Sequence, residues 1–368
     1  MGVSGGSKTA LVAISRPGLE LALRLQRFLP DAEIFLPQRF TVVERANIHH
    51  WSAPLAGLFQ RLFAEYGGIV LFGSVGMSVR LIAPLIGDKR TDPAVVVVDD
   101  AGRFAVSVLS GHLGGANALA TQVAAILGAQ PVITTASDTL GTLAVDLLGR
   151  DFGWRIEGGR SVTQVSAALV NGEPVGLLQE AGESDWWPQN RPLPPNITPF
   201  STLDDLVASH CQAALVITDR LIAEWIEILP PSVVYRPRSL VVGVGCNRGA
   251  GAEEVALAVK LAVEDQGLAP ASIRNLATLD VKRDDVGIEE LAARWKVPVE
   301  YYSAEELDSV ATVPNPSATV RGKVGTRGVC EPAALLSAGA DRLVVPKLKT
   351  SNVTVAVARV DFSKKGRS

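Results

Sequence analysis

Short runs of wholly apolar residues alternate with helical patterns along the chain, and this alternation constrains the fold more than any other feature. Residues 69–72 and 94–98 are apolar throughout, as is typical of strands that are buried on both faces. Residues 55–66 and 115–127 carry apolar side chains at helical spacing. Buried strands separated by helices predict an α/β fold, with a mostly parallel sheet as the middle of three layers.

The same alternation divides the chain into three regions. Residues 8–150 are predicted to form the N-terminal α/β domain. Residues 151–236 are less regular and rich in turn residues, which predicts a small middle region. Residues 235–238 are interpreted as a linker, because two arginines that flank a proline rarely lie inside a sheet. From 239 to 361 strands and helices alternate again and predict a second α/β domain at the C-terminus.

Charge and cysteine content argue against several classes of protein. The net charge of −3 gives no electrostatic support for a large nucleic-acid interface. Cys211, Cys246 and Cys330 lie far apart, which argues against a disulfide framework and against a Cys-x-x-Cys metal site. The N-terminus lacks the pattern of a secretion signal, and the apolar runs are too short to cross a bilayer. We expect a cytoplasmic protein that binds neither membrane nor nucleic acid and has no metal site.

The richest candidate segment is SGHLGGAN, residues 110–117, which follows a predicted strand and opens a predicted helix. Free backbone N–H groups at a helix start bind anions, and glycines let a ligand approach the backbone closely. His112 lies within the segment and has the side chain best suited to proton transfer near neutral pH. The alternative is a glycine turn that contains a hydrogen-bonded histidine.

Two further loops follow predicted strands of the same domain. Thr135 ends the strand predicted at residues 132–135 and Asp138 follows it, while Ser74 follows the strand at residues 69–72. Because the carboxyl ends of parallel strands face the ligand crevice of an open α/β sheet, we expect all three side chains near a ligand. The alternative for Asp138 is a helix N-cap or a turn.

The C-terminal domain opens with a glycine-rich loop, Gly243 to Gly249, after a predicted strand. Its spacing is G-x-G-x-x-x-G rather than the G-x-G-x-x-G of dinucleotide folds, and no acidic residue plainly ends a second strand about 20 residues further on. These departures argue against an NAD-dependent oxidoreductase. Asn247 and Arg248 are candidates for binding a carboxylate instead.

Two later loops carry the remaining polar candidates of this domain. Residues 325–332 combine a glycine turn with Cys330, which we interpret as a small buried residue, because no histidine follows position 210 to activate it. Residues 346–352 separate two predicted strands, and their Lys347 and Lys349 are the best cationic candidates for an acidic ligand. The alternative is a solvated hairpin tip.

Five segments together resemble the CbiG family of cobalt-precorrin-5A hydrolases. They are TDPAVVVVDDAGRFAVSVLSGHLGGANALA, PVITTASDTLG, VVGVGCNRGA, GTRGVCEPAALL and VPKLKTSNVTVAVAR, in the order of the family. The resemblance extends from about residue 8 to residue 360, and the C-terminal region also resembles the small protein CobE. It implies opening of the δ-lactone of cobalt-precorrin-5A and release of acetaldehyde, giving cobalt-precorrin-5B in anaerobic cobalamin synthesis.

The resemblance brings no settled catalytic residues, so the roles of the side chains are inferred from this sequence. Lactone hydrolysis needs a base and donors for the developing oxyanion. We assign His112 as the base, Asp138 as the group that orients it or accepts a proton, and the N–H groups of Gly114 and Gly115 as the donors. The predicted substrate-binding residues are Ser74, Ser110, Gly111, Gly114, Gly115, Asn117, Thr135, Asn247, Arg248, Thr326, Glu331, Lys347, Ser351 and Asn352.

The cobalt belongs to the substrate in this interpretation, so no added cofactor is expected. The expected partners are the cobalt-containing tetrapyrrole, neighbouring enzymes of the pathway and a second copy in a homodimer. The alternative function is a non-catalytic carrier that passes the corrinoid intermediate between enzymes.

Overall fold

The computed structural model describes residues 8–40, 47–52, 54–88, 90–157, 161–188, 190–283, 285–311, 313–316, 321–322 and 325–362. The chain forms two compact units, Met1–Leu147 and Leu148–Ser368. The first holds a seven-stranded sheet, and the second holds two five-stranded sheets.

The first unit alternates strands and helices, as the apolar pattern predicts. Its strands are β1 (Thr9–Ala13), β2 (Glu33–Pro37), β3 (Ile48–Trp51), β4 (Gly68–Phe72), β5 (Ala94–Val98), β6 (Phe104–Leu109) and β7 (Gln130–Val132). Its helices are α1 (Arg16–Gln26), α2 (Leu55–Glu65), α3 (Val75–Ile82), α4 (Ala116–Leu127) and α5 (Ala136–Leu140). The strand order is β3-β2-β1-β4-β5-β6-β7.

Successive residues of β1 pack against helices on opposite faces of this sheet, which gives three layers. Leu11 belongs to an apolar cluster that contains Leu25 of α1 and the inner face of α4. Val12 belongs to a second cluster that contains Phe59 and Leu62 of α2. Because neighbouring strand side chains point to opposite faces, a strand buried on both sides must be apolar throughout. The predicted three-layer domain is confirmed.

The direction of β6 determines where the loops of this unit lie. Strands β1 to β5 are parallel, β6 is antiparallel to β5, and β7 is parallel to β6. Leu109, at the end of β6, pairs with Val95 near the start of β5. The segments that follow β6 and β7 therefore lie at the edge where β1, β4 and β5 begin, and the segment that follows β4 lies at the opposite edge.

The second unit begins with residues that the sequence predicts to be irregular, yet they form a sheet of their own. The strands are β8 (Arg155–Glu157), β9 (Val175–Gln179), β10 (Ile197–Phe200), β11 (Ala213–Ile217) and β12 (Ser232–Arg236), in the order β10-β9-β11-β12-β8. The helices are α6 (Val162–Val170), α7 (Leu203–Ala208) and α8 (Ala223–Ile226). Only β8 is antiparallel among the described strands of this sheet.

The prediction of a linker at residues 235–238 is wrong for Tyr235 and Arg236, which belong to a strand. Tyr235 and Arg236 end β12, and their exposures are 0% and 2%. The Arg236 guanidinium donates to Glu157 Oε2 at 2.6 Å and to the Thr218 carbonyl oxygen at 3.2 Å. An arginine whose donors are satisfied in this way can lie inside a fold. The charges and the proline do not reveal these partners, so they led to the prediction of a linker.

The C-terminal sheet follows directly. Its strands are β13 (Leu240–Cys246), β14 (Ile273–Leu279), β15 (Val299–Tyr302), β16 (Leu343–Lys349) and β17 (Val353–Arg359), in the order β15-β14-β13-β17-β16. Its helices are α9 (Ala252–Val263), α10 (Val286–Trp295), α11 (Ala304–Asp308) and α12 (Cys330–Ala338). A side chain at Gly243 would overlap the Cys330 carbonyl oxygen, so this glycine allows α12 to pack closely on β13.

None of the helices described is long and apolar enough to cross a membrane.

Candidate functional site

The segment 110–117 folds as a tight turn between β6 and α4. Ser110 has a φ of 58°, an unusual conformation for a residue other than glycine. The Ser110 and Gly111 carbonyl oxygens accept hydrogen bonds at 3.0 Å from the N–H groups of Ala116 and Asn117. A Cβ atom at Gly111 would lie 2.8 Å from Asn117 Oδ1, and one at Gly114 would overlap Ser110. Gly114 therefore requires glycine, and a side chain at Gly111 would displace the Asn117 amide.

His112 lies between two carboxylates, one at each ring nitrogen. Its Nε2 is 3.0 Å from Asp138 Oδ2 and 2.9 Å from Ser137 Oγ. Its Nδ1 is 3.3 Å from Asp146 Oδ1. The His112 side chain is 16% exposed, against 46% for Asp138 and 21% for Asp146. The ring is partly shielded from water, while one carboxylate remains open to it.

These contacts satisfy His112 in both of its protonation states. A protonated imidazole donates from Nε2 to Asp138, and its charge is also balanced by Asp146, whose Oδ1 lies 3.3 Å from Nδ1. In the neutral tautomer with a proton on Nδ1, that nitrogen lies beside the Asp146 carboxylate, and Nε2 accepts from the Ser137 hydroxyl. A proton can therefore arrive at Nε2 or leave it while Nε2 keeps a hydrogen-bond partner, as a general acid or base requires.

Asn117 fixes the carboxylate on the Nε2 side. Its Nδ2 donates to Asp138 Oδ2 at 2.9 Å and to Thr135 Oγ1 at 2.8 Å. Its Oδ1 accepts from Ser107 Oγ of β6 at 2.7 Å. The amide is 9% exposed and lies in the first turn of α4, so it joins the helix and β6 to the segment around α5.

Five predicted residues are brought together here: His112, Asp138, Thr135, Asn117 and, through the turn, Gly111. The sequence reasoning missed Ser137 and Asp146, whose side chains contact the same imidazole. Asp146 is the single charged residue in the otherwise uncharged segment 139–149, and that isolation was the available signal. Ser137 has no comparable signal, because a serine beside an aspartate in a turn is common.

The structure corrects two predictions: the Gly115 N–H as a donor to the oxyanion, and Ser74 as a substrate-binding residue. The Gly115 N–H donates to the His112 carbonyl oxygen at 3.0 Å and is occupied within the turn. The Gly114 N–H has no such partner among the described residues. Ser74 lies at the other edge of the sheet, where its Oγ accepts from the Met77 N–H at 3.3 Å as the N-cap of α3.

The turn is not sealed inside the protein. Gly114 and Gly115 line a depression of about 650 Å³, together with Thr9, Gly68 and Ala94 at the starts of three parallel strands. The Ser110 Oγ is buried without a hydrogen-bond partner among the described residues.

The C-terminal sheet carries a separate cleft of about 450 Å³ at the carboxyl end of β13. Predicted residues from three distant segments line it: Asn247, Arg248, Glu331, Lys347, Ser351 and Asn352. The Asn247 N–H donates to the Asn352 carbonyl oxygen at 2.8 Å, and the two side-chain amides meet at 3.2 Å. This pair joins the loop after β13 to the turn between β16 and β17.

The cleft is rich in cationic groups. Arg248 and Lys349 are exposed, and their side chains form no hydrogen bond or ion pair with the described residues. Lys347 Nζ has only a long contact of 3.5 Å, to the Asn315 carbonyl oxygen. Lys347 and Lys349 both belong to β16, so the predicted hairpin tip is shorter than expected. These groups leave charge available for a carboxylate.

Glu331 and Thr326 are predicted to bind the substrate, but their side chains form hydrogen bonds within the protein. Glu331 is 1% exposed and accepts from the Asn315 amide at 2.8 Å and from the Lys347 N–H at 3.0 Å. Thr326 is fully buried and donates to the Gly328 carbonyl oxygen at 3.1 Å. Both side chains therefore hold the loops around the cleft and have no free group to offer a ligand.

Neither cysteine of this cleft is a nucleophile. Cys330 is 2% exposed, which confirms the interpretation of a small buried residue. Burial raises the pKa of the Cys330 thiol to about 11 and does the same for Cys246. Both thiols are protonated at neutral pH and lack the reactive thiolate.

Three family models match the chain in succession. "Cobalamin synthesis G N-terminal" matches residues 57–138, "Cobalamin biosynthesis central region" matches 143–237, and "Cobalamin synthesis G C-terminus" matches 240–358. Together they cover most of the chain.

Curated relatives agree with these matches. The chain is 42% identical to the cobalt-precorrin-5A hydrolase of Priestia megaterium, over 96% of this chain and 95% of that protein. It is 32% identical to the enzyme of the same name from Salmonella typhimurium, over 95% and 96%. Protein CobE of Sinorhizobium sp is 38% identical over 32% of this chain and 79% of that protein.

Proposed function

The chain belongs to the CbiG family, and from this premise we propose that it is a cobalt-precorrin-5A hydrolase of cobalamin biosynthesis whose reaction depends on His112. The observation that carries the assignment of the site is the imidazole held between Asp138 and Asp146 at the surface of the first unit. Removal of a proton from the attacking oxygen speeds its addition to a lactone carbonyl, and we infer that His112 Nε2 takes that proton.

The hydrolysis adds one water across the ester bond of the lactone. His112 Nε2 takes a proton from the attacking water and returns one to the ring oxygen as the C–O bond breaks. Asp146 orients the ring through Nδ1, and Asp138 holds the proton on Nε2 between the two transfers. The unpartnered Gly114 N–H is the remaining backbone donor for the oxyanion.

Opening of the lactone frees a hydroxyl on the two-carbon unit. When that hydroxyl loses its proton, its C–O bond becomes a carbonyl and the adjacent C–C bond breaks, so that acetaldehyde leaves. The electron pair of the broken bond passes into the macrocycle of the substrate, which carries the cobalt. The chain supplies proton transfer and binding, and no added cofactor is part of the proposal.

The C-terminal cleft fits the acidic side arms of such a substrate. A corrinoid carries several acetate and propionate groups, and these are bound best by a few arginine, lysine and amide donors. Arg248, Lys347 and Lys349, with the Asn247 and Asn352 amides, supply these donors around the cleft. We assign the cleft as a carboxylate-binding site for the substrate.

The test is incubation with enzymatically prepared cobalt-precorrin-5A while released aldehyde is trapped. The wild-type chain is expected to release one acetaldehyde per substrate, and His112→Ala to lower kcat at least about 100-fold, because general bases contribute that much. Lys347→Met is expected to raise KM about tenfold with little change in kcat, as loss of a carboxylate contact should.

Binding without aldehyde release would favour the carrier alternative. Unchanged turnover in His112→Ala would remove the imidazole from catalysis and leave the family assignment intact. A cytoplasmic location, contact with neighbouring pathway enzymes and a homodimer belong to the same proposal, and size-exclusion chromatography with light scattering tests the last of them.

A further inference from the structure

Ser137 contacts the base on its proton-accepting nitrogen. Its Oγ lies 2.9 Å from His112 Nε2, and Asp146 Oδ1 lies 3.3 Å from Nδ1 of the same ring. Hydroxyl, imidazole and carboxylate thus stand in the order of a serine nucleophile, its base and the group that orients the base. We propose that Ser137 attacks the lactone and forms a transient ester. This inference rests on the proposed function and replaces direct attack by water on the lactone with attack by Ser137, so that water enters only to hydrolyse the serine ester.

The surroundings of Ser137 suit a nucleophile. The residue is 9% exposed, so its hydroxyl is shielded from most water. The nearby hydroxyl of Thr139 is different, because it donates to the carbonyl oxygens of Thr135 and Ala136 at 3.2 and 3.1 Å. Ser137 is therefore the hydroxyl on α5 that a base can activate.

Asp138 stabilises the imidazolium that forms when His112 takes the proton of Ser137. While Ser137 donates to the neutral ring, Nε2 has no proton of its own to offer Asp138. Once Ser137 has lost its proton, Nε2–H can donate to Asp138 Oδ2 at 3.0 Å. The more exposed carboxylate thus stabilises the imidazolium that exists only after attack, while Asp146 keeps the ring in position.

The bonds balance over two half-reactions. Ser137 Oγ bonds to the lactone carbonyl carbon as His112 Nε2 takes the hydroxyl proton. The ring C–O bond then breaks, and its oxygen receives that proton to become the free hydroxyl. Water next attacks the serine ester with its proton going to Nε2, the bond from carbon to Oγ breaks, and Ser137 recovers its proton. One water is consumed, and no oxidant or reductant is needed.

A fluorophosphonate probe tests the nucleophile without the natural substrate, because it phosphonylates serines that a neighbouring base activates: the serine oxygen bonds to phosphorus and fluoride leaves. Wild-type chain is expected to carry the label on Ser137, located by peptide mass spectrometry. Ser137→Ala should lose the label, and His112→Ala should label at least about 100-fold more slowly. Thr139→Ala, which removes a hydroxyl from the same helix, is the matched control and should label like wild type.

Asp146 acts through the imidazole ring, so its role is tested by comparing a variant that removes the carboxylate with one that keeps it. Asp146→Asn should slow labelling strongly, and Asp146→Glu, which keeps a carboxylate, should recover part of the rate. Equal rates in the two variants would show that the carboxylate does not orient the base.

Acetaldehyde release separates this inference from the function on which it rests. Ser137→Ala should lower release at least about 1,000-fold, and Ser137→Ala combined with His112→Ala should be no slower than the single variants, since the two residues act as a unit. Release by Ser137→Ala within threefold of wild type, or no label on Ser137, would overturn the nucleophile and leave the hydrolase proposal standing. A wild-type chain that labels on Ser137 but releases no acetaldehyde would overturn the hydrolase instead.

Discussion

Asn117 supports Asp138 from the first turn of α4, and its replacement by alanine measures how much that support contributes. Three hydrogen bonds would be lost: two from Nδ2, to Asp138 and Thr135, and one from Ser107 to Oδ1, at 2.7 to 2.9 Å. Bonds to a charged group contribute about 1.5–3 kcal/mol and neutral ones about 0.5–1.5 kcal/mol. Because Ser107 and Thr135 are half-buried, Asp138 is exposed and water can replace the amide, we expect a loss at the lower end of the sum, about 2.5 kcal/mol of unfolding free energy.

The same substitution should slow acetaldehyde release about 10- to 100-fold, since Asp138 would no longer be fixed beside Nε2; this corresponds to about 1.4–2.7 kcal/mol of transition-state stabilisation. Urea unfolding and single-turnover release, with the chain in excess over the substrate, measure the two effects. Gln122→Ala removes an exposed amide from the same helix and should change stability by less than about 0.5 kcal/mol. An Asn117→Ala variant as stable and as fast as this control would refute the supporting role.

Four further substitutions test the fold. Gly243→Ala should destabilise the chain by about 3 kcal/mol in urea unfolding, because its methyl group would overlap the backbone of α12, whereas Gly57→Ala on the open surface of α2 should stabilise by about 0.5–1 kcal/mol. Hydrogen bonds from lysine and tyrosine lower the pKa of Glu33 to about 2, so this carboxylate contributes stability above pH 4.5 that is lost as the pH falls toward 2. Glu33→Gln should lose about 1–2 kcal/mol at pH 7, a figure reduced for solvent screening, and should show a flatter acid-unfolding curve below pH 4.5. Asp219→Ala should lose about 1.5–3 kcal/mol, because it removes a 1% exposed carboxylate that accepts from the Arg359 guanidinium at 2.7 and 2.8 Å, while water can hydrate the 40% exposed arginine; a loss below 1 kcal/mol would contradict this account.

The sequence by itself determined the elements of the first unit and their layers, but not the sheet formed by residues 155–236. Wholly apolar runs such as those of β4 and β5 have one stable environment, a sheet covered on both faces, so local composition was enough to predict the three-layer domain. The glycines of the segment 110–117 likewise marked a tight turn before a helix, and the structure has one there.

Only the tertiary structure decided which loops meet. The antiparallel direction of β6 carries His112 and Asp138 to one edge of the sheet and leaves Ser74 at the other, although all three follow strands. Asp146 reaches the imidazole from a segment with no recognisable motif, and Arg236 is buried by partners far away in the chain. Periodicity reports which faces of an element are buried, whereas strand order, strand direction and the partners of a polar group depend on contacts between distant residues, which no local pattern encodes.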